Sequence, residues 1–266
     1  MIPRIIHYVW VGNKPLPADA KQYIEGWKKL CPDYEIMEWN NDSLKNITCE
    51  YVHQAFECRR WAFVSDFLRL YALKTCGGFY FDTDWEMTQS IDCFRNYSYV
   101  TGFENWEGNY SPVTAMMAAE PNNKLISELL SEYDGMSFID KEGKENITTN
   151  TVLISNYLEQ KYGLVKPWDG TKKLELEEGY VIFPSSYFCS PEEGNINYGI
   201  HHFVASWWPT SRRRTIAQFG QFQLVRFLKT AEIKKNWIEL RSNERILIKI
   251  PLTFKRCYCL LQNKQS

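Results

Sequence analysis

From Trp61 to Asp84 the chain passes from a helix-period stretch through a glycine pair into an aromatic run that ends in Asp-Thr-Asp. Apolar Trp61, Val64, Leu68 and Tyr71 recur at helical spacing, and Gly77-Gly78 is the stop. Phe79-Tyr80-Phe81 then reads as a buried strand. A helix feeding straight into a buried strand is the repeating unit of a layered α/β sheet.

The rest of the first 200 residues fits that reading. Ile5 to Val11 is an apolar run closed by Gly12, about Asp19 to Leu30 has helical periodicity, and Tyr34 to Trp39 alternates as a second strand. Tyr99 to Glu104 and Val181 to Phe183 are further strands, and Asn123 to Tyr133 is a helix. A second late helix runs from Thr151 to Tyr162, with Asn150 as its N-cap, and Gly199 to Trp208 is a last strand.

Strand geometry gives the acidic ending its chemistry. Side chains two apart point to one side, so Asp82 and Asp84 converge while Thr83 points away. Hard divalent cations take carboxylate oxygens and keep positions open for phosphate or water. On the preceding helix, Ser65 and Arg69 share a face and Asp66 lies within pairing reach of Arg69. His201 and His202 are adjacent in the last strand, so only one can face a neighbouring carboxylate pair, and imidazole suits manganese.

Composition narrows the class. A net charge of −1 argues against a general nucleic-acid binder, but its distribution is uneven: Arg212 to Ser266 carries 13 Lys and Arg against 3 acids. That local +10 suggests contact with something anionic, either nucleic acid or a membrane surface, and an amphipathic basic surface from two helices, about Thr215 to Leu228 and Ala231 to Arg241, would suit a membrane face. Ten Trp and sixteen Tyr suggest a cleft lined with flat, hydrogen-bonding rings. Eight scattered cysteines without a paired zinc spacing fit reduced thiols in the cytoplasm. No apolar run reaches membrane-spanning length and the N-terminus has no signal-peptide pattern, so membrane association would be peripheral, on the inner face. The expected division is residues 1–211 as the sheet domain and 212–266 as a basic helical extension.

Three ordered blocks, IPRIIHYVWVG, AFVSDFLRLYALKTCGGFYFDTD and IHHFVASWW, resemble bacterial glycosyltransferase family 32, which is associated with capsular and other surface polysaccharides. More distantly they are similar to the glucosyltransferase domains of large clostridial toxins. The resemblance covers roughly residues 2 to 210. It implies a GT-A type nucleotide-sugar-binding fold, a Rossmann-like mixed sheet flanked by helices, and retaining transfer of a hexose, galactose or glucose, from a UDP-sugar to a saccharide acceptor. That acceptor would be carried on a polyprenyl diphosphate, and the metal would be Mn2+ or Mg2+.

The resemblance also distributes roles. Trp10 would stack on uracil with Val9 and Val11 offering backbone contacts, and Ser65, Asp66 and Arg69 would touch nucleotide and donor sugar. Tyr80 would lie near the diphosphate, and Thr83 is grouped with the same nucleotide-sugar residues. Asp82 would contact ribose or donor sugar and approach the metal, with Asp84 the direct ligand and His202, or else His201, completing the set. Ser206 and Trp207 match a Ser-Trp pair that closes over the diphosphate. The chain departs from the family at Thr149-Asn150, where members often carry Gly-Pro, and Asn150 is placed in the donor pocket. Asp66, Arg69, Asp82 and Asp84 form the expected catalytic group.

Two alternatives belong to other classes. A haloacid-dehalogenase-like phosphatase also sets Asp-x-Asp after an apolar strand, but on its first strand and with Thr or Val where this chain has Glu86. A non-catalytic sugar- or membrane-binding relative would not be expected to retain Asp82, Asp84 and Arg69 together.

Overall fold

The computed structural model describes residues 1–106, 108–113, 115–204, 213–220, 222–228, 244–251 and 256–263. By contacts the chain divides into two units, Met1–Val204 and Ala205–Ser266.

The first unit is built on a mixed seven-stranded sheet. Its strands are β1 (Ile5–Val9), β2 (Glu35–Trp39), β3 (Gly78–Phe81), β5 (Tyr99–Gly102), β8 (Met116–Ala119), β9 (Leu174–Glu177) and β10 (Tyr180–Phe183), in the order β2-β1-β3-β8-β5-β10-β9. β1 runs parallel to both β2 and β3, and β5 is parallel to β10. β8 is antiparallel to β3 and to β5, which makes those two strands parallel to one another. The C-terminal ends of β1, β3 and β5 therefore open on one edge of the sheet, the edge where open α/β sheets bind their ligands.

Helices cover both faces, as an α/β sheet requires. Strand alternation decides which residue meets which layer: Phe79 and Phe81 of β3 pack in a core with Trp27 and Ile24 of α1 (Ala18–Leu30). Tyr80, pointing the other way, packs in a core with Val64, Phe67 and Leu68 of α3 (Trp61–Cys76). α2 (Glu50–Glu57), α4 (Lys124–Ser131) and α5 (Asn150–Tyr162) complete the second layer. Trp27, Trp85, Tyr51, Tyr80 and Tyr99 are fully buried, so these rings fill the core rather than line the expected aromatic cleft.

The junction between α3 and β3 needs its two glycines. Gly77 caps the helix at φ +65° and Gly78 follows at φ +103°, where a Cβ would lie 2.6 Å from the Ile5 carbonyl oxygen. The neighbouring His7 is buried, its Nε2 2.7 Å from the Gly77 carbonyl and its Nδ1 accepting from the Trp39 indole. Those two partners fix one neutral tautomer, with the proton on Nε2. Burial pushes the His7 imidazole down to about 4.

Several element boundaries differ from the sequence expectation. Asp82 to Asp84 lies in a turn between β3 and β4 (Trp85–Met87), closed by the Trp85 amide donating to the Asp82 carbonyl at 3.0 Å. Convergence of the two carboxylates is thus a property of a tight turn, not of strand alternation. Thr149 caps α5, its hydroxyl accepting from the Val152 amide at 3.5 Å, and Asn150 is the first helical residue. The strand expected to begin at Gly199 is β11 (Gly199–His201), which is short and pairs antiparallel with β4. A small antiparallel hairpin, β6 (Glu104–Trp106) and β7 (Asn109–Ser111), continues directly from β5.

The second unit is a four-stranded antiparallel sheet of order β12-β13-β15-β14, from β12 (Arg213–Phe219), β13 (Phe222–Leu228), β14 (Glu244–Pro251) and β15 (Arg256–Asn263). The expected helix from Thr215 to Leu228 is instead a hairpin around Gly220, which sits at φ +56°. β-Branched and aromatic residues on both sides of a glycine turn favour paired strands over a helix. The second expected helix, 231–241, lies outside the described residues. Among the described residues no helix is long and apolar enough to cross a membrane.

Candidate active site

Parallel strands bring the site together. The register that sets His7 beside Tyr80 carries Val9, Trp10 and Val11 to the sheet edge where β3 runs into Asp82 and Asp84. Val9 and Val11 are buried, while Trp10 is half-buried with its indole N–H donating to the Lys14 carbonyl at 2.8 Å.

The α3 face holds the first turn in place. Ser65 and Tyr80 exchange a hydroxyl hydrogen bond at 2.9 Å, and the Tyr80 hydroxyl donates to Asp82 Oδ1 at 2.8 Å. Arg69 Nη2 donates to the same oxygen at 2.8 Å and lies 3.5 Å from Asp66 Oδ1, with its guanidinium 4.6 Å above the Tyr80 ring. Although Arg69 is 9% exposed, two carboxylates and an aromatic face keep its charge in place. Asp66 accepts from the Asn150 amide at 3.0 Å, and the Asn150 side chain donates to the Asp66 carbonyl at 3.1 Å. Burial pushes the Asp66 carboxyl up to about 6 against the pull of Arg69.

Asp82, Asp84 and His201 offer ligand atoms that all lie within 4.8 Å of one another. His201 Nε2 is 3.7 Å from Asp84 Oδ1. The preferred ligand, His202, faces elsewhere: its ring stacks on Tyr23 and its Nε2 is 2.8 Å from Glu86 Oε2. Pairing of β11 with β4 explains the choice: His201 ends the strand turned toward the aspartates, and the His202 amide, bonded to the Asp84 carbonyl, continues the extended backbone by one residue, so the next side chain points to the other side. Asp84 is anchored by the chain beyond the histidines, its carbonyl accepting from the His202 amide and its Oδ2 from the Val204 amide at 2.9 Å. Burial raises the Asp84 carboxyl and lowers the His201 imidazole.

Glu104 is the residue that sequence reasoning missed. It stands where β5 passes into the β6–β7 hairpin, with Oε2 3.6 Å from His201 Nδ1. Burial, with Asp82 and Asp84 adding their charge, pushes its carboxyl up to about 7. Its signal was available only as an acid at the end of a strand parallel to β3.

The donor set suits a hard divalent cation. Two carboxylates and one imidazole converge, with further acid beside them, and Arg69 Nε, Asn150 Oδ1 and His201 Nδ1 are buried without a hydrogen-bond partner. Thr83 lies in the turn between the two aspartates. Ser206 and Trp207 lie outside the described residues.

Residues 17–101 match a family described as a glycosyltransferase sugar-binding region containing a DXD motif. An uncharacterized glycosyltransferase of Acanthamoeba polyphaga mimivirus is 25% identical over 160 residues, 57% of this chain. The chain spans 61% of that relative's length. Among solved structures, the PaToxG glycosyltransferase superposes with a TM-score of 0.48 at 20% identity, covering 61% of this chain and 70% of that one. The matched segment contains Asp66, Arg69, Tyr80, Asp82 and Asp84.

Proposed function

We propose that the chain is a divalent-metal-dependent glycosyltransferase that moves a hexose of the galactose or glucose type from a UDP-sugar to a saccharide acceptor, with retention at the anomeric carbon. The observation that carries this reading is the convergence of Asp82, Asp84 and His201 beside the Arg69 network, with Arg69 and both aspartates inside the segment that matches a DXD-containing sugar-binding region. Asp82, Asp84 and His201 would hold Mn2+ or Mg2+, which supplies charge neutralisation to the leaving diphosphate.

The residues themselves do the positioning. Arg69 holds Asp82 in a fixed rotamer and would offer its remaining guanidinium N–H groups to a donor oxygen. Asp66, pinned by Asn150, presents acceptor oxygens to sugar hydroxyls, and Trp10 offers a ring face to the base at the same sheet edge. Preorganised groups of this kind stabilise charge as the glycosidic bond breaks without rearranging. The leaving diphosphate oxygen takes the acceptor's proton, so no separate base is required.

Purified protein with Mn2+ and a panel of nucleotide sugars should release UDP from one of them, and Asp84→Ala should abolish the release. Absence of metal-stimulated turnover of every donor would sink the reading.

We further propose that the acceptor is carried on a polyprenyl diphosphate at the inner membrane face, in surface polysaccharide synthesis, with the basic second unit meeting anionic lipid. The support is the charge of +10 between Arg212 and Ser266, each basic residue near such a surface adding about 1 kcal/mol. Co-sedimentation with vesicles of anionic and of neutral lipid checks this, with Arg212, Arg213 and Arg214 replaced by Gln in the full chain. Binding that ignores both lipid charge and the replacement would reject it.

A further inference from the structure

Three observations single out one carboxylate beside the site. His201 presents Nε2 to Asp84 at 3.7 Å and Nδ1 to Glu104 at 3.6 Å, so the ring stands between two acids on opposite sides. Its Nδ1 is buried and has no hydrogen-bond partner. The backbones that carry His201 and Glu104 are tied to the same residue: the Cys189 carbonyl accepts the His201 amide at 2.9 Å, and the Cys189 sulfur accepts the Asn105 amide at 3.4 Å.

We infer that Glu104 is the positioning residue of the site, holding the His201 proton on Nδ1 so that the Nε2 lone pair faces Asp82 and Asp84. A neutral imidazole has one N–H and one lone pair, and the group facing the N–H decides which nitrogen can ligate. A carboxyl group keeps an acceptor oxygen whether or not it is ionised, so Glu104 can serve in either state. Phe203, packed on the ring with centroids 3.9 Å apart, limits its tilt. The Phe103 amide, bonded to the Phe183 carbonyl at 2.9 Å, fixes the strand just before Glu104. A closing movement of less than about 1 Å brings Nδ1 and Oε2 within hydrogen-bond distance.

The inference rests on the metal-dependent reading above, and its test has an arm that does not. In the first arm, Mn2+ alone is titrated into the full chain and free Mn2+ is followed by electron paramagnetic resonance. Glu104→Ala should weaken binding about 10- to 100-fold, and Glu104→Gln, which keeps an acceptor oxygen, should restore it to within a few-fold of the parent. Equal Mn2+ binding by parent and Glu104→Ala would overturn the assignment. In the second arm, nitrogen-15 spectra of the metal-free protein at alkaline pH report the His201 tautomer. The parent should carry its proton on Nδ1 and Glu104→Ala should shift it toward Nε2, and a parent ring protonated on Nε2 overturns the inference however metal binds. Failure of the transferase reading would appear separately, as absence of donor turnover with the tautomer unchanged.

Discussion

Arg69 Nη2 donates to Asp82 Oδ1 at 2.8 Å, and this bond joins the middle of a buried helix to the turn that carries the two aspartates. The pair is one edge of a network with Asp66 and Tyr80, so its loss exposes more than one unpaired group.

Replacing Arg69 by Ala should therefore affect stability and activity together. Breaking one side of a buried ion pair costs about 3–5 kcal/mol, and a urea melt should show a loss in that range. Arg69→Lys keeps charge without the planar fork, and should fold better than the Ala variant while donor turnover stays at least about 100-fold down. Full turnover in Arg69→Lys would show that point charge alone suffices.

The two adjacent histidines should separate cleanly in an activity assay. His201→Ala removes the imidazole that stands 3.7 Å from Asp84 and should lower metal-stimulated UDP release about 100-fold or more. His202→Ala removes a ring stacked on Tyr23 and paired with Glu86, and should leave turnover within a few-fold of the parent. The opposite ranking would reassign the ligand.

His7 should impose a pH dependence on folding. Its imidazole is near 4 in the fold, below the ordinary 6.5, so between those values the unfolded chain binds more protons. Stability should therefore fall as pH drops from about 6.5 to 4, by up to about 3 kcal/mol from this group. Urea melts at pH 7, 5.5 and 4 on the parent and on His7→Gln should show a shallower loss in the variant. Parallel pH profiles would remove His7 from the account.

Gly78→Ala should be among the costlier single substitutions. The new Cβ would sit 2.6 Å from the Ile5 carbonyl at φ +103°, so strain and overpacking act at the same residue. A loss of about 2–4 kcal/mol in a denaturant melt is expected. Gly143→Ala, at φ +80° but with open space around it, provides the control and should cost less.

Local pattern carried much of the fold into view. The helix expected to start at Trp61 and stop at the glycine pair spans Trp61–Cys76, because periodicity and backbone permissiveness are properties of neighbouring residues. Ser65, Asp66 and Arg69 were legible as one helical surface for the same reason. The basic tail misled because charge says nothing about backbone pairing: Thr215 to Leu228 is a hairpin, and the alternation around Gly220 was its sign.

Asp82 and Asp84 were visible as a chelating pair from sequence, and so were the helix and strand that frame them. Which histidine joins them was not, because adjacent residues on a strand differ only in the side they face, and pairing of β11 with β4 decides that. Glu104 was hidden more deeply. It is 20 residues from Asp84 in the chain, and only the antiparallel strand β8, inserted between β3 and β5, sets both strand ends on one edge. Sequence determined the local elements and the chemistry each carries, since those depend on neighbours a few residues away. Tertiary structure decided the company the aspartates keep, because sheet order and register are set by contacts that no local pattern encodes.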